Sequence, residues 1–153
     1  MNVNFQMLPE AVADLDLDSK GESLREISQI FSNIYGAISD DVLDGLEERE
    51  RLGSTGFGNG VAIPHTRSPQ VKRPVAALVR LKNPVDFDSA DGMPVRLIFG
   101  LLSPEDAGVA HLHALAAISR IVRDETTRHA FLDAPSSEAM YALLSSHIER
   151  DAA

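Results

Sequence analysis

The sequence predicts an α/β protein, a layered domain in which helices flank a central group of strands forming a mixed sheet. Three observations carry this prediction. Apolar residues recur at helical spacing in both halves of the 153-residue chain, strand-like segments cluster between about 60 and 102, and one of them, PVRLIFGLL (94–102), is almost wholly apolar. A run of that kind marks a strand buried on both faces, which needs helices above and below it. The length suits a single domain spanning 1–153.

Residues from about 1 to 15 read as an N-terminal segment ahead of the first helix. From 18 to about 35, Leu24, Ile27, Ile30, Phe31 and Ile34 fall at helical spacing, with Asp18 or Ser19 as a cap and Gly36 as a stop. A second helix follows Ser39 and Asp40 and runs through DVLDGLEERERL to Gly53. The loop STGFGNG leads into the strand VAIP. Pro64 cannot donate a ladder hydrogen bond, so that strand is expected to stop there, with His65 at its C-terminal edge.

The segments 74–81 and 94–102 each open on a proline, a tolerated first strand position. Between them NPVDFDSADGM is turn-rich, with room for a short edge strand. Helices at about 108–123, 125–132 and 136–148 complete the fold, and 150–153 is expected to be a loose tail.

Composition narrows the function. The absence of cysteine excludes disulfides, thiolate metal sites and a cysteine nucleophile, and fits a cytoplasmic setting. A formal charge of −9 argues against nucleic-acid binding, which needs a basic field. The longest apolar run falls far short of the ~20 residues of a spanning helix, and the N-terminus lacks signal-peptide features. No direct membrane insertion is expected.

Two stretches hold candidate chemistry. In GVAIPHTRSP (60–69) a titratable ring stands where a strand must stop, and ligands in open α/β sheets gather at such edges. A plain surface histidine is the alternative for His65. Upstream, Gly56, Gly58 and Gly60 alternate, which fits neither a dinucleotide fingerprint nor a phosphate loop. They permit close backbone approach to a phosphoryl group, or else a tight helix-to-strand turn.

The second stretch is HLHALAAISR (111–120). At about 100° per residue, His111 lies about 30° from the centre of the apolar stripe and His113 about 170° from it. His111 therefore faces the body of the protein and His113 solvent; a core histidine satisfied by a backbone carbonyl is the alternative for His111. A shared metal is not expected, nor any other cofactor, since no cluster of metal-ligand spacing occurs. His129 and His147 read as surface or packing residues. With no serine elbow either, the remaining use of a lone histidine backed by a second is nucleophilic chemistry at the imidazole.

The combination ERERLGSTGFGNGVAIPHTR with HLHALAAISRIVRDETTRHAFLDAPSSEAMYALL resembles the enzyme IIA domains of the bacterial phosphoenolpyruvate-dependent phosphotransferase system, mannitol/fructose type. LGSTGFGNGVAIPH looks most like the nitrogen-regulatory branch. The resemblance implies a three-layer sandwich with a mixed, mostly parallel sheet and helices on both faces. It implies that His65 accepts a phosphoryl group from the histidine-containing phosphocarrier protein, that His111 orients it or stabilises the group, and that Arg49 clamps the phosphoryl oxygens. Thr55, Gly58 and Thr66 are expected to assist in substrate binding.

No metal or nucleotide is implied. The output implied by the resemblance is a regulatory target, a kinase or transporter, through the phosphorylation state; the alternative is a sugar-specific component serving a fructose/mannitol-type permease IIB domain. The family usually has glycine after the histidine. Thr66 in that place is expected to narrow the approach to His65 or to add a hydroxyl donor.

Overall fold

The computed structural model describes residues 4–152, with backbone only for 149–152. Residues 1–3 of the N-terminal segment and 153 of the predicted tail lie outside the described residues. The elements run β1 (Val12–Leu15), α1 (Lys20–Tyr35), α2 (Ser39–Arg51), β2 (Gly56–Gly58), β3 (Val61–Ala62), β4 (His65–Ser68), β5 (Val75–Val85), β6 (Val95–Pro104), α3 (Val109–Arg123), α4 (Glu125–Asp133) and α5 (Ser137–Ala152).

The sheet order is β1-β5-β6-β3-β2, with β4 also paired to β6. The central β5–β6 pair is antiparallel, as is β2–β3, whereas β1–β5, β3–β6 and β4–β6 are parallel. Alternation along β6 shows the layers directly. Gly100 lies against Ile27 and Phe31 of α1, while Ser103, an odd number of residues on, contacts His111 of α3. Helices α1 and α2 cover one face; α3 packs on β6 and α5 on β1 across the other. The sandwich expected from the resemblance is the fold observed, and β6 is buried from Leu97 to Pro104.

The helix signals act as the sequence suggests. Ser19 caps α1 by accepting from the Glu22 N–H at 3.0 Å, Glu22 returns a bond to the Asp18 N–H at 2.9 Å, and Gly36 ends the helix at φ 78°. β1 falls in the N-terminal segment, where the sequence placed no element. Its four residues bury only Val12 fully, a pattern too short to read locally, and its place comes from pairing with β5.

The strand before Pro64 stops as expected, at Ala62, but the place of His65 at its trailing edge is corrected. β3 pairs Val61 with Leu97 and β4 pairs His65 with Leu101, the same offset along β6. Pro64 withholds one donor, but its carbonyl accepts from the Leu101 N–H at 3.0 Å, so β6 carries the register across the gap. His65 thus opens a strand instead of trailing one.

Candidate functional site

Three elements converge on His65. β4 presents the ring half-buried, α2 supplies Arg49 from its last turn, and α3 supplies His111 from its first. The two imidazole centroids are 5.6 Å apart with planes at 50°. Arg49 Nε donates to His65 Nε2 at 3.2 Å, and Arg49 Nη1 donates to the Gly53 carbonyl at 2.8 Å. The trio singled out from the sequence is therefore brought together.

The partners decide the tautomer of His65. Its Nδ1 lies 2.8 Å from the Ile63 carbonyl, which can only accept, so Nδ1 carries the proton. Arginine can only donate, so Nε2 carries the lone pair. The pKa of His65 is lowered, chiefly by burial, with Arg49 adding to the effect while the Ile63 carbonyl and Glu50 oppose it. The ring is neutral at pH 7, with a basic nitrogen touching a guanidinium.

His111 is 7% exposed, as its helical face required, while His113 is exposed. Its Nδ1 sits 2.7 Å from Ser103 Oγ, and burial, then Arg67, then His65 push its pKa down to about 4. Two neutral imidazoles with an arginine between chain segments can accept a phosphoryl group at one ring and hold its oxygens by fixed donors.

The other three predicted residues do not line this cleft as expected. Thr55 is buried, and its hydroxyl and N–H both serve the carboxylate of Glu50. Gly58 belongs to the β2–β3 hairpin, paired with Val61, about 13 Å along the strand from His65 at the usual rise. The neighbouring Asn59 N–H is already taken by Asp91 at 2.9 Å, so this loop offers a carboxylate where an anion cradle was expected. Thr66 is turned the other way: side chains alternate along β4, so it points to α2, into the space left by Gly45. It neither narrows the approach to His65 nor offers it a hydroxyl.

Two contributors were missed. Ser103, one residue before the end of β6, sits beside His111, and Glu50, next to Arg49, binds Thr55 and Lys20. The only local signal for Glu50 was a carboxylate at a helix end just ahead of a Ser-Thr pair. Among the described residues no cluster is placed to hold a metal ion, and no helix is long and apolar enough to cross a membrane.

The family described as phosphoenolpyruvate-dependent sugar phosphotransferase system, EIIA 2, matches residues 8–147. The chain belongs to that family. A nitrogen regulatory protein of Bradyrhizobium diazoefficiens is 38% identical over 145 residues, covering 94% of this chain and 95% of the relative. A nitrogen regulatory protein of Pseudomonas aeruginosa is 45% identical over 128 residues, 81% and 83% of the two chains. Among solved structures, the nitrogen regulatory protein IIA-Ntr from Neisseria meningitidis superposes with a TM-score of 0.84 at 36% identity, covering 90% of this chain and 95% of that one. As an EIIA 2 member the chain is a phosphotransferase-system component that works by phosphoryl transfer.

Proposed function

We propose that the chain, read as a single EIIA domain over 1–153, receives a phosphoryl group on Nε2 of His65 from the histidine-containing phosphocarrier protein. The observation that carries the reading is the pair of hydrogen bonds on the ring: Ile63 holds the proton on Nδ1 and Arg49 marks Nε2 as the basic nitrogen. In the transfer the P–N bond of the donor breaks as the P–Nε2 bond forms in line. The electron pair comes from His65 and the donor ring recovers its own, so no proton need leave Nδ1. The transition state is loose, and the protein contributes positioning and charge. Arg49 would shift from Nε2 to the phosphoryl oxygens as the lone pair is used, and His111 would face the same group from α3.

The output is regulatory. A phosphoryl group adds about −1.5 to −2 charges at the site, enough to change the fit of a partner. The names of the relatives matched over nearly their whole lengths, nitrogen regulatory proteins, support a regulatory output over service to a permease IIB domain; a kinase or transporter in the cytoplasm is the target this reading proposes. Purified protein incubated with phosphoenolpyruvate, enzyme I and the histidine carrier should gain one acid-labile phosphoryl mass. A His65→Ala protein that still gains it overturns the assignment. Pull-downs with wild type, His65→Ala and His65→Asp should recover different partner sets, and identical sets would count against a switch.

A further inference from the structure

Glu50 stands in an unfavourable place for a carboxylate. It lies in the last turn of α2, where the helix dipole disfavours negative charge, and its side chain is 5% exposed. Its two oxygens are fully engaged: Oε1 with Lys20 Nζ at 3.0 Å and the Thr55 N–H at 3.0 Å, Oε2 with the Thr55 hydroxyl. Lys20 is itself seated over the Phe87 ring, 5.2 Å from its centroid, and reaches Asp88 at 3.7 Å.

From Thr55 the connections run to the histidine. The Thr55 carbonyl accepts from the Ile63 N–H at 3.0 Å, and the Ile63 carbonyl is the acceptor for Nδ1 of His65 at 2.8 Å. The residue before Glu50 is Arg49, which meets the other ring nitrogen. One nitrogen of His65 is thus held by a carbonyl linked to Glu50 through Thr55, and the other by Glu50's neighbour in the last turn of α2. A hydrophobic side chain of like volume would brace the helix end as well, without the cost of desolvating a charge. It could not grip Thr55.

We propose that Glu50 is a positioning residue for the transfer: by pinning Thr55, and through it the Ile63 carbonyl, it keeps His65 in the tautomer whose Nε2 lone pair can attack. Its kinetic consequence rests on His65 being the phosphoryl acceptor; its effect on the tautomer does not.

The test uses the full chain with 15N-labelled histidine. Long-range 1H–15N correlations should show His65 of the wild type as the Nδ1–H form alone. In Glu50→Gln the Nε2–H form should appear beside it. Uptake of phosphoryl groups from the phosphorylated histidine carrier should fall about tenfold to a hundredfold, the scale of a misplacement near 1 Å, in kcat and not in KM.

Thr55→Val removes only the hydroxyl and should move both readouts the same way, while Thr55→Ser restores them; this pair decides the matter should Glu50→Gln not fold. A folded Glu50→Gln protein with a single tautomer and the wild-type rate overturns the proposal, as do Thr55→Val and Thr55→Ser proteins that behave alike. Wild type that takes up no phosphoryl group overturns the carrier reading instead, and the tautomer spectra still decide the role of Glu50.

Discussion

Replacing Gly45 with alanine should destabilise this protein, against the usual rule for a helix interior. Gly45 has no positive φ and lies within α2, where alanine is ordinarily favoured over glycine by about 1 kcal/mol. Here an added Cβ would meet Thr66 Oγ1 at 2.4 Å and Thr66 Cβ and Cγ2 at 3.1 Å each. Rotation of Thr66 can withdraw Oγ1 but cannot move its Cβ, so helix and strand must part by a few tenths of an ångström.

Overpacking of this kind costs about 1–3 kcal/mol, which leaves a net loss of about 1 kcal/mol once the helix preference is deducted. For a chain of this size that lowers Tm by about 2–4 °C. In a Thr66→Gly background the obstacle is gone and Gly45→Ala should raise Tm by a similar amount, a coupling of about 2 kcal/mol between the two positions. Thermal and urea unfolding of the four proteins measure it. Equal effects of Gly45→Ala in both backgrounds would refute the packing argument. Because α2 carries Arg49 one turn further on, the single variant should also take up phosphoryl groups more slowly, and Thr66→Gly should restore the rate.

Arg49→Lys should keep the charge yet slow phosphoryl uptake at least tenfold with Tm little changed, since a lysine cannot hold Gly53 and Nε2 together; an unaltered rate would remove Arg49 from the mechanism. Arg80→Met should cost about 3 kcal/mol, because Arg80 pairs with Asp14 through Nε at 2.6 Å and Nη2 at 3.0 Å and caps the Phe131, Leu132 and Ala134 carbonyls; the resulting Tm fall should leave phosphoryl uptake at 25 °C intact. His111 should make stability fall with acid. Its folded pKa of about 4 lies below the ordinary 6.5, so between those values the unfolded chain binds a proton that the folded chain refuses, and up to about 3 kcal/mol is lost as pH drops through that window. The depressed pKa of His65 acts in the same direction. Denaturant titrations from pH 7 to 4 should show a shallower slope for His111→Gln, and an unchanged slope would contradict the burial argument.

What the sequence revealed and what it hid divide along physical lines. Caps such as Ser19 and Gly36 act within a few residues, and the inward turn of His111 follows from one helical period, so both were legible. The strand expected in VAIP is present as β3, but β1, β2 and β4 have only three or four residues each, and their existence depends on pairing with β5, β3 and β6 respectively. Thr66 was misread for the same reason. Once β4 continues the register beyond Pro64, alternation sends His65 and its neighbour to opposite faces, a fact that no local pattern contains. Glu50 escaped because its contacts are with Lys20 and Thr55, which only the packing of α1 against α2 and the following loop brings within reach.

The short strand β4 also has a bearing on how a partner can engage this protein. Among the described residues it pairs with β6 alone, which leaves its outer side an unpaired sheet edge beside the proposed acceptor ring. Open edges invite foreign strands and aggregation. This one is four residues long and bracketed by Pro64 and Pro69, with the charged Arg67 within it. Too little main chain is on offer for an incoming strand to zip onto. For the transfer proposed above, recognition here then rests on side chains on a shaped surface, so that a donor can dock, give up its group and leave without a sheet to unpick.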